Sequence, residues 1–145
     1  MRFVDASVFV HAFLKPRRRL KPHEVDIKEA AKAVVRRINE GEEVGLTVVQ
    51  LAEIANILER YMPLEKALQV EKFLLYAPNV EVYGVDRRIC VEALKVAEER
   101  GVGLSDAIAY IVMLQNNVKE IYSFDRDFDR LEGVERVPRR RNAGR

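Results

Sequence analysis

The chain has 145 residues, 48% of them hydrophobic and 33% charged, which is the length of one ordinary domain with room for a proper core. A net charge of +2 excludes a strongly basic protein that coats nucleic acid; the positive charge is instead gathered at residues 17–19 and 139–141, each a run of three arginines. The single cysteine, Cys90, excludes a disulfide framework and a multi-cysteine metal site.

From the start, Phe3 and Val4 lead to Asp5 as a short strand, and Ser7 opens an apolar helical stretch running to Leu14, with Asp5 or Ser7 as its cap. Asp5 and His11 interrupt that stretch and no small-residue cleavage site follows it, so it does not read as a signal peptide. No segment reaches the roughly 20 apolar residues of a membrane span, and a cytoplasmic protein is expected. His11, on an otherwise apolar helix, is expected in the core. Residues 15–22, with two prolines and three arginines, read as an exposed loop. Asp26 is the expected cap of a second helix whose face carries Ala30, Ala31, Val34, Val35 and Ile38. Residues 44–48 form a second strand. The helix after it buries Leu51, Ile54, Ala55 and Leu58, and Glu53 lies in its first turns. After Pro63, Leu64, Ala67, Leu68 and Leu75 are read as the buried stripe of another helix. Residues 80–83 are a third strand. Asp86 caps the helix that follows, and Ser105 the next, with Asp106 in its first turn. Residues 120–124 are the fourth strand and residues 134–137 a short edge strand. Strands separated by helices predict an α/β fold with a mostly parallel sheet.

In such a fold Asp5 and Asp125 end strands, while Glu53 and Asp106 begin helices at the same sheet edge, where ligands bind. Each has a plainer role alone: Asp5 as a helix cap, Asp106 as a partner of the helix dipole, Asp125, Asp127 and Asp129 as solvated turn residues. Together they are like charges that a hard cation would compensate, and Mg²⁺ or Mn²⁺ prefers carboxylate oxygens. A carboxylate-held divalent ion suits phosphodiester hydrolysis. Ser7 and Ser123 are placed to orient a carboxylate or a water. An aspartyl phosphatase of the haloacid-dehalogenase type needs a second Asp two residues after the first, where this chain has Ser7. The glycines at 101 and 103 lack the rest of a dinucleotide-binding fingerprint.

Four short pieces occur in order: Phe3-Val4-Asp5-Ala6-Ser7, Glu53-Ile54-Ala55-Asn56, Leu104-Ser105-Asp106-Ala107-Ile108-Ala109, and Ser123-Phe124-Asp125-Arg126-Asp127-Phe128. In this set and order the chain resembles a PIN domain, most of all the VapC-type toxin ribonucleases of prokaryotic toxin–antitoxin pairs. The resemblance implies a three-layer α/β/α fold with a central, mostly parallel sheet of four to five short strands. It spans residues 1–138, with a basic tail over 139–145 expected to be disordered. It implies an Mg²⁺- or Mn²⁺-dependent endoribonuclease in which Asp5, Asp106 and Asp125 bind metal and Glu53 binds metal or acts as general base. Asp127 is placed to replace or assist Asp125, and Ser7, Asn56 and Ser123 support the site. It also implies an RNA substrate, a homodimer and a small antitoxin that blocks the site. The alternative is a non-catalytic module of the same fold that binds RNA or protein. The loop over residues 15–22 is longer than the resemblance leads one to expect, and its part in RNA guidance or partner contact stays open.

Overall fold

The computed structural model describes residues 1–138; the basic tail expected over 139–145 lies outside the described residues. Five strands, β1 (Arg2–Val4), β2 (Val44–Thr47), β3 (Val80–Tyr83), β4 (Glu120–Tyr122) and β5 (Glu135–Val137), form one sheet in the order β3-β2-β1-β4-β5. All of its pairings are parallel. Six α-helices connect them: α1 (Ala6–Phe13), α2 (Pro22–Asn39), α3 (Val48–Tyr61), α4 (Leu64–Tyr76), α5 (Arg87–Arg100) and α6 (Leu104–Gln115). A 3₁₀ helix at Arg126–Arg130 joins β4 to β5.

The strands are too short to carry a hydrophobic pattern of their own, and both faces of the sheet are covered, so they read as apolar runs. On one face Val4, Val44, Leu46 and Tyr122 pack with buried residues of α1 to α4. On the other, Phe3 and Ile121 pack with α5, α6 and the turns around Phe128 and Leu131. Gly45 in β2 is required by this second face. The rings of Phe3 and Tyr83 stack 5.5 Å apart, and a Cβ at position 45 would stand 2.8 Å from the Phe3 ring and 3.0 Å from that of Tyr83.

Several expectations change. The cap of α2 is Lys21, with Pro22 at the first helical position and the Glu24 side chain returning to the Lys21 N–H, so Asp26 lies inside the helix. Proline fixes its own φ at a helical value, which moves the start forward. The N-cap of α6 is Gly103 and leaves Ser105 inside the first turn. The stripe on α4 is the largest correction. Ala67 and Leu74 are buried, but Leu64, Leu68 and Leu75 are 57%, 48% and 52% exposed. At 3.6 residues per turn the three leucines lie on an arc about 90° from the Ala67–Leu74 arc. Two apolar arcs share this helix, and only one meets the core. His11 is exposed rather than core, because α1 turns Ala6, Val8 and Phe9 inward instead. Residues 15–21 are a mostly exposed loop, one residue shorter than expected because Pro22 opens α2, and are tied by an Arg18–Glu24 ion pair of 2.9 Å and by Arg17 over the Tyr61 ring. Among the described residues no helix is long and apolar enough to cross a membrane.

Candidate metal centre

The strand order places β1 between β2 and β4, so the chain leaves β1 on one side and β4 on the other. The crevice outside the carboxyl ends of such a pair is where open α/β sheets bind ligands. Asp5 follows β1 directly and is the N-cap of α1. Ser123, Phe124 and Asp125 follow β4, and Asp125 caps the 3₁₀ helix by accepting from the Asp127 N–H at 2.9 Å. Asp106 lies in the first turn of α6 and Glu53 one turn into α3.

The two serines build the inner wall. Ser123 Oγ donates to Asp5 Oδ2 at 3.0 Å and accepts the Asp125 N–H at 3.0 Å. Ser7 Oγ accepts the Phe124 N–H at 3.0 Å and lies 3.4 Å from Ser123 Oγ. With the Ser123 proton committed to Asp5, the Ser7 hydroxyl is the donor of that last pair. The Ser7 N–H adds a bond to Asp5 Oδ2 at 3.4 Å. Asp5 is thereby held buried, and Ser123 is fully buried. Burial pushes the Asp5 carboxyl up, against the lowering pull of the Ser7 and Ser123 hydroxyls, and the charge of Asp125 adds to the rise.

Across the crevice the N-termini of α3 and α6 are locked together. Thr47 caps α3 and bonds Gln50 through its hydroxyl. Gln50, almost wholly buried, sends its Nε2 to the Ser105 carbonyl at 2.9 Å. Ser105 Oγ in turn donates to Glu53 Oε2 at 3.1 Å. Ser105 and Gln50 were not singled out from the sequence as site residues. The legible signals were the Thr47–Gln50 spacing of a capping box and a hydroxyl beside Asp106. Burial pushes the Glu53 carboxyl up, offset in part by Ser105 and reinforced by the charges of Asp5 and Asp125. Asn56 is exposed on α3, and no hydrogen bond ties it to the acids.

Asp106 stands at the focus. Burial first, then the charges of Asp5, Asp125, Glu53 and Asp127, push its carboxyl up to about 7. Oxygens of Asp106, Asp125 and Asp127 all lie within 4.8 Å of one another. Oxygens bound to one octahedral Mg²⁺ are about 2.9 Å apart when adjacent and about 4.2 Å apart when opposite, given metal–oxygen distances of 2.0–2.1 Å, so the three oxygens have to draw closer to share one ion. The donor set is all hard oxygen, with no cysteine or histidine in the group, and this fits Mg²⁺ or Mn²⁺. Both Asp125 and Asp127 reach this group, where the sequence left the two as alternatives. Asp5 and Glu53 stand outside the three-oxygen group and act on it through charge.

The sequence signature of the PIN domain matches residues 2–134. The chain belongs to the PIN domain family. Its fold is also that of solved structures that are distant in sequence. One is VapC20 of Mycobacterium tuberculosis, described as a sarcin–ricin loop cleaving toxin, at 20% identity and a TM-score of 0.67, covering 93% of this chain and 98% of that one. A toxin–antitoxin complex from Klebsiella pneumoniae gives 13% identity and a TM-score of 0.62, covering 93% and 96%. VapBC2 from Rickettsia felis, bound to a DNA fragment from its promoter, gives 13% identity and a TM-score of 0.61 over the same shares. Among curated proteins no sequence match is significant. In this PIN domain the acids of the sequence motifs meet at one sheet edge although they are separated by up to 120 residues in the chain, from Asp5 to Asp125.

Proposed function

We propose that this PIN domain is a divalent-metal-dependent endoribonuclease, the toxin of a toxin–antitoxin pair. The observation that carries the reading is the placing of Asp106 among four other carboxylates at the β1–β4 crevice, with its oxygens near those of Asp125 and Asp127. Asp106, Asp125 and Asp127 would hold Mg²⁺ or Mn²⁺. When bound, the ion would polarise a phosphate oxygen of RNA, lower the pKa of water and offset the leaving charge. The chain's own groups do the rest. Glu53, oriented by Ser105 and with its carboxyl raised by burial, accepts the proton of the attacking water. Asp5, fixed by Ser7 and Ser123, supplies negative charge that draws the cation in. The two serines fix the backbone on which Asp125 stands.

The partners in this reading are RNA, a second copy of the chain and a small antitoxin. The antitoxin is supported by the solved complexes of similar fold. It is also supported by a groove of about 1370 Å³ between α1, α2, α3 and α4, floored by Phe9, Phe13, Val70 and Phe73 and lined as well by Lys15, Arg17, Arg36 and Lys66. An acidic amphipathic segment is the chemical complement of that groove. None of the site acids lines it. The dimer is supported by the exposed leucines of α4.

The test is RNA cleavage by the purified chain with Mn²⁺ or Mg²⁺, with a chelator control and Asp106→Asn. Metal-dependent cleavage that falls by at least two orders of magnitude in the variant, at unchanged Tm or a higher one, is the expected result. Full activity in Asp106→Asn would remove the site. Metal binding without cleavage of any RNA would favour the non-catalytic binding module.

A further inference from the structure

The turn that carries Asp125 and Asp127 spans Ser123 to Asp129, and both of its ends are held by one residue outside it. Arg136 in β5 places its Nε 3.1 Å from Asp129 Oδ1 and its Nη2 3.2 Å from Asp129 Oδ2, a two-pronged fork on one carboxylate. Its remaining Nη1 donates to the Ser123 carbonyl at 3.4 Å. The side chain is only 12% exposed, while that of Asp129 is 52% exposed. β5 is itself fixed to the sheet by the Ser123 N–H, which bonds the Val137 carbonyl at 3.0 Å. Asp129, although half exposed, is one anchor of a clamp.

This clamp faces a specific electrostatic problem. Asp106, Asp125 and Asp127 repel one another; the first stands on α6, and the second and third share the turn after β4. Like charges within 4.8 Å favour a turn that swings away from α6. Arg136 touches none of the three and neutralises none of them directly. It fixes the two ends of the turn, so the acids between them stay near Asp106 before any cation arrives. Holding ligands in their bound arrangement beforehand removes an ordering cost from binding. The rigid guanidinium fork matches the two oxygens of one carboxylate and still presents a third N–H to the carbonyl; a compact ammonium does not reproduce that fixed geometry.

We infer that Arg136, with Asp129, is the positioning residue of the metal centre: it preorganises the Asp125–Asp127 turn for the cation. This rests on the metal-dependent reading above. Partners outside the ligand set are typically worth roughly 10–100-fold in metal affinity, and that is the effect expected for Arg136→Lys and for Asp129→Asn.

The experiment is calorimetric titration of Mn²⁺ into the full chain and the two variants, with Tm measured in chelator and in excess Mn²⁺. The expected result is a 10–100-fold weaker Mn²⁺ affinity in both variants, a smaller Mn²⁺-induced rise in Tm, and cleavage restored near the native rate at saturating Mn²⁺. A merely structural arginine would lower Tm with and without metal alike and leave the titration of folded protein unmoved. Asp129→Asn, altered at the half-exposed end, keeps the test open if Arg136→Lys fails to fold. Native binding with unchanged affinity in the variants would overturn the clamp alone. No Mn²⁺ binding by the native chain would overturn the metal centre itself, and the clamp with it.

Discussion

At the scale of single residues, the site is a matter of hydroxyls as much as of carboxylates. The Ser123 hydroxyl makes one donor bond and accepts twice, and its partners Asp5, Asp125 and Ser7 all belong to the crevice. Ser123→Ala would take from Asp5 Oδ2 its 3.0 Å donor, leaving it to Ser7, and would free the Asp125 N–H. The expected cost is about 1–3 kcal/mol of stability, the usual penalty for an unsatisfied buried group, together with weaker Mn²⁺ binding. Urea denaturation and a metal titration read the two effects. An alanine variant of native stability would mean that water replaces the hydroxyl. The sequence offered Ser7 and Ser123 as supports from position alone, and their bonds give that role a mechanism. It offered His11 as a core residue and was misled. One polar residue among apolar neighbours has no periodicity of its own, and α1 leaves it at the surface, edge-on to Phe124 with ring centres 5.5 Å apart. Burial against that surface, and then the charge of Lys28, hold its imidazole below its ordinary pKa.

At the scale of elements, the α3–α4 hairpin carries an acid pair away from the site. Burial, then hydrogen bonding and repulsion with Glu59, raises the Glu71 carboxyl from 4.5 to about 7. One Glu71 oxygen is buried without a hydrogen-bond partner. The folded chain therefore keeps a proton here that the unfolded chain releases above its ordinary value. The stability that this proton supports is complete below about pH 4.5 and is lost as pH rises through about 7. Glu71→Gln removes the titration. The Tm of the variant relative to the native chain should therefore climb between about pH 5 and about pH 8, and a constant difference in thermal melts would show that the pair does not share a proton. Element boundaries were legible where a cap spoke clearly: Asp86 before α5, and Pro63 before α4. They shifted where two signals competed, as Pro22 and Glu24 did with Asp26.

For the whole molecule, the exposed arc of α4 is the test of assembly. Leu64, Leu68 and Leu75 form a narrow apolar line on the outside of the chain. Leu68→Glu should leave the fold intact, since the side chain is already half exposed, and should shift the mass seen by light scattering from dimer to monomer. A native chain that is monomeric throughout would withdraw the dimer. The same helix explains how much was readable. Its spacing shows two apolar arcs with equal clarity, but which arc meets the core depends on where α3 and the sheet lie, and spacing carries no such information.

By itself the sequence determined the order of strands and helices, because each element is bounded by its own caps and breakers and each apolar run has the length of one strand or one helix. It determined the kinds of group at the site, since Asp5, Glu53, Asp106 and Asp125 each stand at the end of a strand or in the first turns of a helix. Only the tertiary structure decided that Asp127 stands with Asp125 and Asp106 while Asp5 and Glu53 flank them, that Ser105 and Gln50 join two helix ends beneath the acids, and that Arg136 grips the turn from the neighbouring strand. Those facts depend on the parallel pairing of β1 with β4 and of β4 with β5. Pairing across a sheet is a relation between residues far apart in the chain, and no local rule of propensity, spacing or charge encodes it.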